Sequence, residues 1–245
     1  MSDFLLVFGV ALLAAFLTYL GAPIAERFDV PQHIISGALQ FAAGIITALV
    51  ALSLMPPAVR QGSSPVTVAL MFFIGGAIYV IFEYYSAQKM AARPTESGAN
   101  VTSLGLYVGI LVDLVIDGII IGIGATLTVT TGLLLALGMA ISTLPLAFVT
   151  TSTAKRQGVS KENRRRLSIA YFLCVLVGAM VGFVLLRDAP LGLRLALIAL
   201  ASGFLITTVT QSMIPEANKD GEPSFAGILY LAGISVYALL SLTIG

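Results

Sequence analysis

Charged residues are scarce in this sequence. Asp, Glu, Lys and Arg make up 10% of the 245 residues, whereas hydrophobic residues make up 58% and the mean hydropathy is +1.01. Because a soluble domain carries about 25% charged residues, this composition excludes a soluble protein and predicts a polytopic membrane protein. The net charge of +1 provides no field that would favour a nucleic-acid partner.

The chain also has one cysteine, one histidine and no tryptophan. Cys174 alone excludes an intrachain disulfide, and His33 alone excludes a zinc site built on several histidines. Anchoring at the membrane surface therefore falls to the eight tyrosines. No nucleophile–base pair, phosphate-binding loop or dinucleotide fingerprint is present, so we expect neither an enzyme nor a bound cofactor.

Apolar runs of about 20 residues, long enough to cross a bilayer, recur eight times. Since lipid offers the backbone no hydrogen-bond partners, each run must be a helix. We predict an all-α polytopic membrane protein with a single transmembrane domain over residues 1–245. The predicted spans lie near 4–24, 32–55, 66–87, 104–127, 131–153, 167–187, 191–214 and 224–244.

The basic residues divide unequally between the two sets of loops. Loops after spans 1, 3, 5 and 7 hold 10 of the 13 Lys and Arg residues. The positive-inside rule then places these loops in the cytoplasm and both termini outside, in what we expect to be the membrane of a prokaryotic cell. The ten residues are Arg27, Lys89, Arg93, Lys155, Arg156, Lys161, Arg164, Arg165, Arg166 and Lys219.

Spans 2 and 7 carry similar sequences. Residues 42–58 align with residues 201–217 at an offset of 159, with six identities and a shared Ser-x-x-Pro-x-Ala ending. The alternative is chance similarity between two apolar helices. Because the two spans cross in opposite directions, we predict an inverted repeat of spans 1–3 and 6–8 around central spans 4–5. The identical pairs are Ala42/Ala201, Gly44/Gly203, Val50/Val209, Ser53/Ser212, Pro56/Pro215 and Ala58/Ala217.

Two carboxylates lie inside the fourth apolar run. Asp113 and Asp117 are four residues apart, so on a helix they share one face, one turn apart. Placing an acidic side chain in the membrane interior costs free energy, and two ionised carboxylates also repel each other. A cation, shared protons or a wet cavity must offset that cost. The pair is therefore the candidate functional site, and a bound cation is its simplest partner.

Span 5 carries Ser142, Thr143 and a mid-span proline, Pro145. When spans 4 and 5 are aligned, Ser142 lies at the position of Asp113. The proline removes a backbone hydrogen bond, and glycines loosen the second half of span 4. We therefore predict two broken helices that face a shared cavity, with Ser142 and Thr143 on the transport pathway.

Span 7 carries a polar stripe in an apolar context. Thr207 and Gln211 share one helical face, and Ser212 lies on the adjacent one. Hydroxyls bonded to their own helix are the alternative for any single threonine, and a position at the membrane surface is the alternative for Glu216. As a group we predict that Thr207, Gln211, Ser212 and Glu216 line a hydrated pathway.

These residues together resemble the ZIP (Zrt-, Irt-like) family of divalent-metal transporters. The resemblance covers nearly the whole chain and includes Phe41-Ala-Ala-Gly44, the Ser53–Ala58 ending of span 2 and Met213-Ile-Pro-Glu-Ala217. It implies eight spans with outward termini. The family's span-4 signature, His-Asn-x-Pro-Glu-Gly, has its glycine at Gly118, which aligns Asp117 with the glutamate ligand and Asp113 with the histidine ligand.

The chain departs from that family at several ligand positions. In span 5 the histidine and glutamate are replaced by Ser142 and Leu146, and the expected span-6 acid falls within 171–177, which has no carboxylate. The usual two-metal centre therefore cannot form. A site of carboxylates, hydroxyls and carbonyls suits manganese, magnesium or calcium better than zinc.

The leading hypothesis is a divalent-cation transporter with one site at Asp113 and Asp117, working by alternating access without ATP. The metal ion is its substrate and the lipid bilayer its surroundings, and a homodimer is left open. A second hypothesis keeps the fold but assigns proton-coupled transport or an organic cation. A third is a membrane sensor or scaffold that does not transport. Two retained midplane carboxylates argue against the third, because an inactive site would be more stable if apolar.

The topology yields a first testable prediction. In a Cys174→Ala background, the single thiol of a Ser160→Cys variant should be protected from a membrane-impermeant maleimide in intact cells, because the Lys155–Arg166 loop faces the cytoplasm. Labelling after permeabilisation is the control for a reactive thiol. Labelling in intact cells would reverse the topology.

Overall fold

The computed structural model describes residues 2–28, 31–61, 64–91, 101–219 and 225–244; Arg93, used above for the topology, lies outside them. The described part is helical and contains eight helices long and apolar enough to cross a membrane. The predicted all-α class and the eight spans are thus confirmed. The helices are α1 (Ser2–Arg27), α2 (Gln32–Leu49), α3 (Met55–Gln61), α4 (Pro65–Ala91), α5 (Val101–Leu127), α6 (Val129–Arg156), α7 (Lys161–Leu186), α8 (Leu191–Thr208), α9 (Ile214–Ala217) and α10 (Ala226–Ile244).

Four helices form one packed group, with α5 packed on α7 and α6, and α1 packed on α6 and α7. Small residues allow this close packing. A Cβ at Gly118 would collide with the carbonyl oxygen of Val175 on α7, and one at Gly178 would collide with that of Val115 on α5. Such contacts let helix backbones approach each other directly, which is how helices associate where lipid removes the hydrophobic drive.

Two helix pairs pack against this group, α2 with α10 and α4 with α8. Both pairs use a reciprocal glycine contact. A Cβ on Gly44 would collide with the Tyr230 carbonyl, and α4 and α8 meet through Gly75 and Gly203 in the same way. Both pairs are therefore held in backbone contact at a fixed register, which positions the polar groups of spans 2, 3, 7 and 8.

Spans 2 and 7 each contain one turn of π-helix, at Val50–Leu54 and Val209–Met213. In each, the residue after the segment donates its backbone N–H to the segment's first carbonyl, five residues back. A proline follows shortly after each segment, at Pro56 and Pro215. Since a proline ring clashes with the carbonyl four residues earlier, the wider turn accommodates the ring without ending the helix.

Spans 4 and 5 are continuous helices, α5 and α6, so the prediction that these two are broken is wrong. Pro145 lies inside α6 without interrupting it. The backbone around this proline packs on α1, where a Cβ at Gly21 would meet the Leu144 carbonyl oxygen and the Ala147 side chain. Tertiary packing thus holds the segment in helical form despite the missing hydrogen bond.

The outer helices carry large apolar side chains on the surface. Phe73 on α4 is 73% exposed and Leu242 on α10 is 84% exposed. An apolar surface of this extent would be insoluble in water and matches the hydrocarbon region of a bilayer. The chain is therefore an integral, multi-pass membrane protein.

Polar contacts join the ends of neighbouring helices. The guanidinium of Arg164 at the start of α7 binds both carboxylate oxygens of Glu26 at the end of α1, with Nη2 at 2.9 Å from Oε2. At the opposite end, Nη1 of Arg194 donates to the Thr126 carbonyl at 2.7 Å. A cation at a helix C-terminus satisfies carbonyls that have no partner within the helix.

The glycine contacts lead to a second prediction. Gly203→Val should lower the thermal unfolding midpoint by several degrees, because the new side chain collides with the Phe72 carbonyl of α4 and overpacking costs about 1–3 kcal/mol. Gly9→Val is the matched control, since a Cβ there meets nothing within 4 Å. Equal midpoints for both variants, measured in detergent, would refute a tight α4–α8 contact.

Candidate functional site

The aspartate pair lies on α5, within the membrane-spanning part of the helix. Asp113 and Asp117 are separated by one helical turn, and Asp117 is only 4% exposed. The Oδ1 atom of Asp113 is buried and has no hydrogen-bond partner among the residues that the structure describes. A buried carboxylate oxygen without a partner loses about 1–3 kcal/mol or more relative to one that is hydrogen-bonded. The fold therefore presents an acceptor that only a ligand or a proton would satisfy.

A second polar group lies close to Asp113. Tyr79, on α4, lies in the neighbourhood of Ser212, Thr208 and Asp113. Tyr79 is 7% exposed, and its ring packs edge-on against Phe204 at a centroid distance of 5.0 Å. Three spans thus converge here, since Asp113 belongs to span 4, Tyr79 to span 3, and Thr208 and Ser212 to span 7.

The structure places Ser142 and Thr143 in the interior of α6. Ser142 is 1% exposed and Thr143 is 4% exposed. Both hydroxyls donate to the Met139 carbonyl, at 2.9 and 2.8 Å. Thr143 also lies 2.8 Å from the Thr18 hydroxyl of α1. Thr143 therefore joins α6 to α1, and its role on a pathway stays a prediction, as does that of Ser142.

The polar stripe of span 7 is divided by the π segment. Thr207 donates to the Gly203 carbonyl at 2.9 Å and lies against Gly76 of α4. Ser212 is half-buried and reaches Tyr79, whereas Gln211 is exposed. The roles of Thr207, Gln211 and Ser212 on a pathway stay predictions.

Glu216 lies at the end of span 7, in a cleft of about 310 Å³ between α2, the end of α6 and α9. Its carboxylate is 3.6 Å from Nζ of Lys219, and Arg156 also lines the cleft. Next to it, Gln40 of α2 donates to Oδ1 of Asn218 at 2.9 Å. Glu216 therefore lies in a charged cleft at one end of the molecule, and neither Asp113 nor Asp117 lines this cleft.

Sequence reasoning missed Tyr79, which it treated with the other tyrosines as an anchor at the membrane surface. Thr208 had been assigned to the polar stripe of span 7, on one helical face with Ser212. The available signal was Tyr237, which also has a buried hydroxyl and lies 2.7 Å from Ser53. Tyr79 follows Ser53 by 26 residues and Tyr237 follows Ser212 by 25, and this similar spacing in the two halves was the signal for an interior tyrosine.

Carboxylates alone do not make a complete metal site here. Within the described ranges, no three His, Cys, Asp or Glu side chains lie close enough to hold one ion. Two carboxylates neutralise a divalent cation, but calcium takes six to eight oxygen ligands and magnesium six. A cation at Asp113 and Asp117 would therefore need hydroxyls, backbone carbonyls or water to complete its coordination.

No protein-family model matches the sequence, and no curated protein matches it either. The function must therefore be argued from the residues of this chain.

The unpartnered oxygen leads to a third prediction. Asp113→Asn should raise the thermal midpoint of the cation-free protein, because it removes a charge whose burial costs several kcal/mol without a partner. Asp188→Asn is the control, since that side chain is 85% exposed and pairs only with Arg187. A midpoint lowered by Asp113→Asn would mean that a favourable partner already holds the carboxylate.

Proposed function

We propose that the protein transports divalent metal cations across the membrane through one carboxylate site at Asp113 and Asp117. The observation that carries this proposal is the pair itself, with Asp117 buried and Oδ1 of Asp113 buried and unpartnered, inside an eight-helix membrane protein. Two ionised carboxylates and one divalent cation form a neutral complex, which a low-dielectric interior tolerates far better than either part alone.

The fold proposed for this activity is an inverted repeat of spans 1–3 and 6–8 around spans 4–5, as in the ZIP-like transporters that the sequence resembles. The support is a set of contacts that recur at matching positions. The π segments lie at equivalent positions in spans 2 and 7. The Ser53–Tyr237 contact in one half corresponds to Ser212–Tyr79 in the other.

Close approaches between helix backbones follow the same pattern. The Gly44–Tyr230 approach between α2 and α10 corresponds to Gly203–Phe72 between α8 and α4. The approach of Gly21 to α6 likewise corresponds to that of Gly178 to α5. In transporters with inverted repeats the binding site lies near the midplane at the repeat interface, and α5 and α6 pack on each other there.

Alternating access is proposed to proceed without ATP, driven by an ion gradient. The α2–α10 and α4–α8 pairs each pack as a unit through backbone contacts, so each can move as a rigid body against the other four spanning helices. The π segments lie where spans 2 and 7 meet the rest of the bundle, and such turns are frequent at functional sites.

The orientation proposed is both termini outside and the basic loops in the cytoplasm. In support, the Glu26–Arg164 pair and the cleft with Arg156 and Lys219 lie among the loops that carry most of the basic residues. The Glu216 cleft would then be the cytoplasmic mouth of the pathway. We propose in addition that the membrane is that of a prokaryotic cell and that the protein forms a homodimer.

The oxygen-only donor set favours hard cations. We expect manganese to raise the thermal midpoint of the purified protein more than zinc does at equal concentration, because no imidazole or thiolate is positioned to help. A ligand at 100 times its Kd stabilises by about 2.7 kcal/mol. The shift should vanish in Asp117→Asn and persist in Asp188→Asn, and proteoliposomes should accumulate manganese without ATP.

Three outcomes would contradict this proposal in different ways. Stabilisation by zinc that exceeds that by manganese would refute the oxygen-only site. Manganese stabilisation that persists in Asp117→Asn would move the site elsewhere. The absence of stabilisation by any divalent cation would favour proton-coupled or organic-cation transport, or a scaffold that does not transport.

A further inference from the structure

We propose that the cleft between α2, the end of α6 and α9 binds a phosphate ester whose alcohol part carries a hydrogen-bond donor. The source is a lipid headgroup or a soluble molecule of the same chemistry. The cleft has a volume of about 310 Å³, which is large enough for a small ligand. It is a second site, separate from the aspartate pair, and it does not depend on the proposed transport of cations.

The charges of the cleft favour an anion with a single charge. Three charged side chains line it, namely Glu216, Lys219 and Arg156. Glu216 and Lys219 form an ion pair, with 3.6 Å between Oε1 and Nζ, so their charges largely cancel. Arg156 is exposed and makes no ion pair or hydrogen bond with any residue that the structure describes. One positive charge in the cleft is thus left without a counter-ion.

The end of α6 does not need Arg156 for itself. A basic side chain in the last turn of a helix often binds the final carbonyls, which have no partner within the helix. Here the carbonyl of Thr153 accepts the backbone N–H of Gln157 at 3.0 Å, and the next two carbonyls accept N–H groups of the following turn. The guanidinium of Arg156 is therefore available to a ligand.

Uncharged donors share the cleft with this guanidinium. Ser152, one turn before Arg156, and the adjacent Thr153 both line it. Thr150 and Thr151 donate to carbonyls of their own helix, whereas the hydroxyls of Ser152 and Thr153 bond to no residue in the part of the chain that the structure describes. A guanidinium accompanied by free hydroxyls is a combination that binds phosphate groups.

The start of α2 adds to the attraction for an anion. This helix begins at Gln32, which lines the cleft, and no side chain caps its N-terminus. The positive end of the helix dipole therefore lies at the cleft. Basic pockets between membrane-spanning helices are also places where the phosphate groups of lipids bind.

Two acceptors restrict the kind of anion that fits. Oε1 of Gln157 is buried and has no hydrogen-bond partner among the described residues, and Glu216 also lines the cleft. An anion without a donor, such as sulfate, would leave the Gln157 oxygen unsatisfied and would be repelled by Glu216. A phosphate ester with a hydroxyl or ammonium group can donate to these oxygens while its phosphate binds Arg156. Glycerol and ethanolamine esters of phosphate have this chemistry.

The phosphatidylglycerol headgroup tests the site and separates the two sources. The probes are short-chain phosphatidylglycerol and glycerophosphoglycerol, the same headgroup without acyl chains, each added to the purified protein in neutral detergent. A rise of the thermal unfolding midpoint with both probes assigns the cleft to any ester that fits, and a rise with the lipid alone assigns it to a headgroup. Short-chain phosphatidylcholine is the control for general effects of lipid. No response to either probe, or an equal response to phosphatidylcholine, would show the inference to be wrong.

Phosphatidylmethanol tests the need for a donor, because its headgroup has the same charge as phosphatidylglycerol but no hydroxyl. It should bind at least about tenfold more weakly, since the acceptors of the cleft then stay unsatisfied. Gln157→Leu should reduce this difference. Equal binding of the two lipids by the wild-type protein would refute the role of the donor.

A matched pair of variants tests the guanidinium. Arg156→Gln should weaken phosphatidylglycerol binding at least about tenfold, because a charged hydrogen-bond donor is lost. Arg165→Gln is the control, since it removes the same charge from an exposed arginine of α7 that does not line the cleft. Equal weakening by both variants would mean attraction to the basic surface as a whole and would overturn a site in the cleft.

Glu216→Gln distinguishes a phosphate site from a cation site. The substitution removes a negative charge and releases Lys219 from its ion pair, so phosphatidylglycerol should bind more tightly than to the wild-type protein. A cation in the cleft would instead lose its carboxylate ligand. Weaker binding of phosphatidylglycerol by Glu216→Gln would contradict the inference, because the ligand would then depend on the negative charge of the cleft.

Discussion

Direct contact between helix backbones is the constraint on which the rest of this structure depends. In lipid, apolar side chains gain nothing by leaving their surroundings, so helices associate through close packing. Glycines at Gly44, Gly118, Gly178 and Gly203 place the Cα of one helix against a carbonyl of the next. Such contacts have no rotamers and little tolerance, so they fix both the register and the rotation of each helix. The polar groups of the interior then meet at defined distances.

The helices themselves could be predicted from the sequence because run length alone determines a span. Their ends could not, since α1 continues past the predicted end at residue 24 to Arg27, where Glu26 meets Arg164. The π turns were also missed. A π turn adds one residue to the helix. In a run that is apolar on all sides, this added residue does not change the hydrophobic pattern, so the periodicity of the sequence cannot reveal it. Pro145 was wrongly expected to break its helix. The α6 helix continues through this proline, and its backbone there packs against α1.

The aspartate pair could be predicted because charge within an apolar run is costly wherever the run is placed. Its neighbours could not. Tyr79 approaches Asp113 only through the packing of α4 on α8 and on α5, and no spacing within one span encodes that. Gln211 was assigned to the pathway from an ideal helical face. It is exposed and lies inside the π turn, and its role on a pathway stays a prediction.

The π segments also set a limit on how this chain can vary in length. A π turn holds one more residue than the α turn it replaces, so the helix beyond it is rotated by about 100° relative to an uninterrupted helix. Ser212 lies inside its segment and Pro215 just after it. Removing one residue from Val209–Met213 would restore the α register and swing the serine hydroxyl away from Tyr79. In each half of the molecule, the position of the serine relative to the tyrosine therefore depends on the one extra residue of the π turn.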